Sequence, residues 1–339
     1  MHSSVGHWLI LALPVAVVLF YAAMALLDRR RAPGARPVSF VQRNGIAVST
    51  YLVVAVGVWT VLLIVLPQLY MIDLSFRPRL PPTQMGGPND VYTLENYRFF
   101  LYGSTRSTAA WNTIHLKAFA LTILASVAIT FLNLLLCYPI AFYMAKAAST
   151  TRMRLLMLML IAPYWVNEIL RAFAIRVLLA SSGVVNQALM GLGLVSEPVD
   201  FLGLDLGLYA GLSYAYLLMM VFPLYNAIES LDRNQIEAAR DLGGPWWHIH
   251  LFVVVPHAKP GIASGCTLVF MLTAGALAAP QILGGPRTLW FTPIVYDRFY
   301  QAFNWPQGAA YAFLLLVACI VFVLATMRVC RLSLGEITR

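Results

Sequence analysis

Hydrophobic positions along this chain come in long, nearly unbroken runs separated by polar, Gly- and Pro-containing stretches. The runs cover approximately residues 8–27, 46–70, 113–143, 155–175, 206–229, 260–283 and 309–329. Crossing a hydrocarbon core as a helix takes about 20 apolar residues, so the pattern predicts seven spans. Open sheet edges cannot face lipid, and no series of alternating segments offers a closed barrel. The expected fold class is therefore an all-α membrane protein. Two intervening regions look less regular: residues 71–112, rich in Pro, Gly and Asn, and residues 181–205, where Gly183, Gly191, Gly193 and Pro198 suit a short re-entrant or interfacial helix. The sequence shows no internal repeat.

Composition removes the water-soluble alternative. Of 339 residues, 60% are hydrophobic and 11% charged, with a mean hydropathy of +0.75, whereas a soluble domain is about a quarter charged. The net charge of +9 does not point to nucleic acid, because the basic residues are spread between apolar runs without interleaved stacking aromatics. Their placement reports orientation instead. No basic residue precedes the run 8–27, and Asp28, Arg29, Arg30, Arg31 and Arg36 follow it. A cleaved signal peptide carries its positive charges first, so this run is read as an anchored helix with its N-terminus outside. Alternating from there, 14 of the 23 Lys and Arg residues fall inside, among them Lys146, Arg152, Arg154, Arg233, Arg240, Lys259, Arg328 and Arg331. The C-terminus is then inside. The four cysteines lie within or at the ends of apolar runs, lack metal-ligand spacing and say little about redox compartment.

The inside loop between the fifth and sixth runs, Ser230 to Ile262, carries the most information. Asp232 with Gln235 is a capping pair, Gln235 to Leu242 is good helix-forming sequence, and Gly243, Gly244 and Pro245 break that helix. A short helix, a sharp turn and a second helix should result. Glu237, Arg240 and Asp241 project charge, while Ala238 and Ala239 permit close approach. Physics alone leaves two readings: an ordinary amphipathic connector, or a rigid lever seated in a partner's groove.

Glu237, Ala238, Ala239, then Gly243, Val253, Val255 and Pro256 resemble the EAA loop of binding-protein-dependent ABC importer permeases, whose pattern is E-A-A, three residues, G, nine residues, I-x-L-P. The resemblance runs over roughly residues 46–335 and includes Tyr92 to Tyr97, Asn112, Tyr138 to Ala141, Pro163 to Ala174, Gly275 to Pro286 and Asn304 to Gly308. It is nearest the spermidine/putrescine branch. What it implies is a type I (MetI-like) transmembrane domain: a six-helix core over residues 46–339, preceded in residues 1–45 by one extra helix and a basic loop. It also implies that Glu237, Ala238, Ala239, Arg240, Asp241, Gly243 and Pro256 couple to a cytoplasmic ATPase. Two departures stand out: Ala276 occupies a position that is commonly acidic in polyamine permeases, and Ile175 one that is often tryptophan. The first weighs against a dicationic solute.

Ionisable residues inside apolar runs are expensive, costing roughly 2.5–3.5 kcal/mol on insertion scales, and face protein or a wet cavity. Glu168 follows Tyr164 and Trp165 and precedes Arg171 by three residues, so it either lines a solute path or pairs internally with Arg171. Asn167, Gln281 and Tyr296 add neutral hydrogen-bonding groups that could line a path or cap helices. His115 and Lys117 are read as snorkelling to the interface. His248, His250 and His257 lack companions for a metal site. No phosphate loop, nucleophile elbow or HExxH is present, so no catalytic residue is expected.

The expectation is a permease subunit of an ATP-driven importer in the bacterial inner membrane, a multi-pass transport protein rather than an enzyme. Its expected partners are a second, related permease subunit in a heterodimer, two ABC ATPase subunits binding ATP and Mg, a periplasmic solute-binding protein and membrane lipid. The solute would be a small organic molecule, polyamine-like or amino-acid-derived. The rival classes are an ion-coupled secondary transporter, which would show paired halves or an ion-ligand cluster, and a non-transporting scaffold, which leaves the EAA pattern unexplained.

Overall fold

A computed structural model describes residues 45–331 except 85–86, 105–109 and 287. The predicted helix 8–27 and its basic flank lie outside the described residues. Every regular element among those described is helical. By contacts the chain divides into two units, Met1–Met71 and Ile72–Arg339.

Helix α1 begins as Ile46–Thr60, passes through a π turn at Val61–Val65 and continues as Leu66–Ser75. Val54, Leu62, Leu63, Ile64 and Leu69 are exposed along it, an apolar surface that water would penalise and lipid would not.

The second unit contains the remaining helices. They are α2 (Glu95–Tyr102), α3 (Thr113–Phe142, prolonged by a π turn at Tyr143–Ala147), α4 (Thr150–Ile161), α5 (Glu168–Leu179), α6 (Val184–Gly191) and α7 (Leu206–Glu229). There follow α8 (Arg233–Asp241), α9 (Trp246–Ile249, a π turn at His250–Val254, then Val255–Ala274), α10 (Ala278–Leu283), α11 (Phe291–Tyr300) and α12 (Trp305–Cys330).

Helix α7 is the hub. Leu208, Leu212, Met220, Val221, Leu224 and Ile228 are fully buried, and α3 and α9 pack against it. In lipid there is no hydrophobic drive between helices, so close approach through small residues has to supply the contact. Gly261 provides it: a Cβ there would lie 2.4 Å from the Pro223 carbonyl oxygen and 2.5 Å from Ala227 Cβ. Buried polar groups add direction. Asn133 of α3 donates to the Ser213 carbonyl at 3.2 Å and accepts from the Ser213 hydroxyl. A second cluster joins α2, α3, α11 and α12 through Phe100, Phe291 and Tyr311.

Four described helices are long and apolar enough to cross a membrane: Ala47–Ser75, Thr113–Ala147, Leu206–Glu229 and Trp305–Cys330. Two predicted spans are interrupted. The run 155–175 becomes α4, a 3-10 turn at Ala162–Trp165 and α5. Pro163 removes a donor there, and Asn167 starts α5 afresh by accepting from Ile169 N at 2.8 Å. The run 260–283 breaks at residues 275–277, between α9 and α10. The region 181–205 does hold a short helix, α6, pinned by buried Asn186, which donates to the Ala180 and Val199 carbonyls. Among the described residues of the region 71–112, expected to be irregular, Arg77 ties the start of the segment together. Its guanidinium bridges Asp73 and Asp90, each at 2.7 Å.

Candidate functional site

The α7–α9 loop is built as its sequence suggests, with one change at the start of α8. Asp232 caps α8, but its carboxylate accepts from Asn234 N at 3.0 Å rather than from Gln235. At the other end Gly243 has φ +78°. Its N–H donates to the Arg240 carbonyl at 2.9 Å, and Gly244 N–H donates to Ala239 at 3.1 Å. This pair of bonds is the Schellman closure, which favours glycine at the left-handed position. Ile236 and Ala239 pack on the core cluster. Glu237, Ala238, Arg240, Asp241 and Gly243 are exposed, and Leu242 at the tip is 89% exposed. Of the two alanines, then, Ala238 lies on the free face and Ala239 turns inward. Pro256 is exposed near the start of the long segment of α9, immediately after the π turn. A proline cannot donate to the carbonyl four residues back, and the wider π spacing accommodates that loss.

The three histidines have separate surroundings. His248 packs against Trp247 and Phe252, and His257 Nε2 meets the Ser230 hydroxyl at 3.0 Å. His250 is buried, with Nδ1 2.7 Å from the Tyr138 hydroxyl. Burial pushes its imidazole pKa below the ordinary value. Among the described residues no group of three His, Cys, Asp or Glu side chains is placed to hold a metal ion.

At the α4–α5 break, Tyr164 reaches α7. Its hydroxyl donates to the Ala215 carbonyl at 2.6 Å and accepts from Leu218 N at 3.0 Å. Asn167 is a helix cap, and Trp165 is 83% exposed. Glu168 accepts from the Tyr216 hydroxyl at 3.3 Å. The alternative of an internal Glu168–Arg171 pair is overturned. Arg171 instead lies over the rings of Tyr164 and Tyr214, 4.9 and 5.7 Å from their centroids, and its Nη1 is buried without a hydrogen-bond partner. Aromatic faces hold a guanidinium by cation–π attraction. Tyr214 and Tyr216 escaped the sequence reading, since nothing in an apolar run marks which tyrosines will face a break 50 residues earlier. A groove of about 490 Å³ follows α5 past Pro163, Val166, Arg171, Ile175, Leu178 and Tyr214. Gln281 is exposed on α10, which packs on α5. Tyr296 lies apart on α11, stacked on Tyr300.

Lys117 is exposed, whereas His115, expected to snorkel, is buried. Its Nδ1 is 2.7 Å from the Tyr311 hydroxyl and its Nε2 3.3 Å from Arg298, because α12 and α11 close over it.

Comparison with known proteins fits this architecture. Residues 137–329 match the family "binding-protein-dependent transport system inner membrane component". The spermidine/putrescine transport system permease protein PotB of Haemophilus influenzae is 32% identical over 267 residues, covering 78% of this chain and 88% of that protein. PotB of Escherichia coli is 31% identical over 281 residues, covering 83% and 97%. A bacterial ABC transporter structure involved in import of the acidic polysaccharide alginate superposes with a TM-score of 0.61 at 16% identity, covering 86% of this chain and 96% of that one. At that identity the likeness shows the fold alone. The chain belongs to the family of binding-protein-dependent inner membrane transport components and is an ABC importer permease subunit, a transport protein similar to polyamine permeases.

Proposed function

We propose that this chain pairs with a related permease subunit to form a solute path, and that its α7–α9 loop docks into a cytoplasmic ATPase subunit. Two such ATPase subunits would bind ATP and Mg, and their closure would draw the loops together and open the outer side to a periplasmic solute-binding protein. In this reading the chain crosses the bacterial inner membrane seven times, with the N-terminus outside and the C-terminus and loop inside. The solute is a small organic molecule, polyamine-like as the names of the relatives suggest, or amino-acid-derived; buried Ala276 in place of an acid weighs against a dication. Tyr164, Trp165, Asn167, Glu168, Arg171 and Gln281 line the path beside the broken spans, the kind of element that holds substrate in many transporters; Tyr296, apart on α11, is left out.

One observation carries the reading: α8 is a short helix capped at both ends, backed by the core through Ile236 and Ala239, with a charged face free. A connector needs no such face. Because coupling is a difference in affinity between two global states, Glu237→Lys should uncouple without dissolving the fold. Purification of the wild-type chain should recover a P-loop ATPase, identifiable by mass spectrometry. The variant should lose that ATPase or its stimulation. If no ATPase accompanies the wild type and the substitution changes nothing, the coupling assignment falls.

A further inference from the structure

Helix α8 follows α7 in the chain and leads into α9, yet both of its flanks are also tied to α3. At its N-terminal end, the Arg233 guanidinium donates to the Lys146 carbonyl at 2.5 Å. In return, the Lys146 ammonium donates to the carbonyls of Glu229, at 3.0 Å, and Leu231. Helix C-termini present carbonyls without intrahelical partners and carry partial negative charge. Each of these two cations therefore satisfies a carbonyl at or just past the end of another helix. Past the Schellman turn, His250 is buried in the π turn of α9. Its Nδ1 meets the Tyr138 hydroxyl at 2.7 Å, and its ring lies 4.4 Å from Phe142 and 4.3 Å from Trp246, centroid to centroid. Tyr138, Phe142 and Lys146 are spaced by four residues, so they form one stripe of α3.

We infer that α3 is the span that moves with the loop, and that Tyr138, His250, Lys146 and Arg233 are positioning residues fastening it there. The inference rests on the coupling role proposed above. One attachment is a pivot, whereas two attachments on either side of α8 oblige the loop and α3 to turn together. Coupling of this kind needs a rigid element whose two arrangements both sites bias, and a hydrogen bond buried among aromatic rings is a stiff joint. If the Tyr138–His250 bond is removed while the rings remain, α8 should still take up its ATPase but swing about the Lys146–Arg233 end.

The test uses the chain with its co-purifying ATPase in lipid nanodiscs and needs no knowledge of the solute. Cys137, Cys266 and Cys319 are buried, so Cys330→Ser leaves a background in which Ile114→Cys, 61% exposed in the first turn of α3, takes an environment-sensitive fluorophore. The probe is Mg-ATP with vanadate, and the signal is the change at position 114, far along α3 from the loop. Tyr138→Phe and His250→Phe should keep vanadate-sensitive ATPase activity and lose about fivefold of the signal, the range expected when one ordinary hydrogen bond is lost. His250→Asn, which keeps a polar atom near the Nδ1 position, should restore it. A full signal in both Phe variants overturns the inference, as does a wild-type label that ignores ATP. So does a loss of ATPase activity parallel to the signal, which would mark a merely structural bond. Absence of any ATPase from the wild type would instead strike the coupling role itself.

Discussion

At the scale of single residues, Gly243 is the position where backbone alone decides. A Cβ there would meet nothing within 4 Å, but its φ is +78°, a region that costs an L-residue about 1–2 kcal/mol. Gly243→Ala should therefore leave packing untouched and weaken the turn by that amount. Titrating the ATPase onto purified permease should show affinity lower by about tenfold, since 1.4 kcal/mol is a factor of ten. Asn, which tolerates the left-handed region, should cost less. The sequence made the Gly-Gly-Pro break legible without showing which glycine turns: Gly244 is confined by the Ala239 carbonyl, 2.7 Å from where its Cβ would sit. Arg171 shows the opposite limit. Spacing of three residues suggested Glu168 as its partner, but the rings of Tyr164 and Tyr214 take the guanidinium. Local spacing registers neighbours on one helix and is blind to a tyrosine arriving from another.

At the scale of helices, the α7–α9 contact is set by absence of side chain. Gly261→Ala would place a methyl group against Pro223 backbone, which cannot yield as a flexible side chain could. Overpacking typically costs 1–3 kcal/mol, and about the upper end is expected here. The variant should melt at lower temperature in detergent, whereas Gly191→Ala, where a Cβ meets nothing within 4 Å, should not. The breaks at 162–167 and 275–277 were harder to see than this contact is to explain. Apolar residues continue through both, and proline is no guide by itself, since Pro139, Pro223 and Pro260 lie inside continuous helices. At the first break Asn167, four residues after Pro163, offers the new helix a cap. The EAA loop was legible because residue type and spacing agree over a short segment. His115 was misread because its burial depends on α11 and α12, nearly 200 residues away.

At the scale of the whole molecule, orientation ties these pieces to function, and the argument for it rests on charge. Basic residues resist translocation, so the side of the membrane holding most of them near span ends stays inside. On that basis we propose that the α7–α9 loop and the C-terminus lie inside and the segment held by Arg77 outside. Cysteines can report this without disturbing either. In a Cys330→Ser background, Leu242→Cys places a thiol on the loop tip, and Thr83→Cys places one on an exposed turn of the 71–112 region. A membrane-impermeant maleimide added to intact cells stripped of their outer membrane should label position 83 at once. Position 242 should label only after the membrane is permeabilised. The reverse pattern would put α8 beyond reach of any ATPase that draws on cytoplasmic ATP. The capped, charged helix would then need another partner, and both the coupling role of Glu237 and the linkage through Tyr138 and His250 would fall with it.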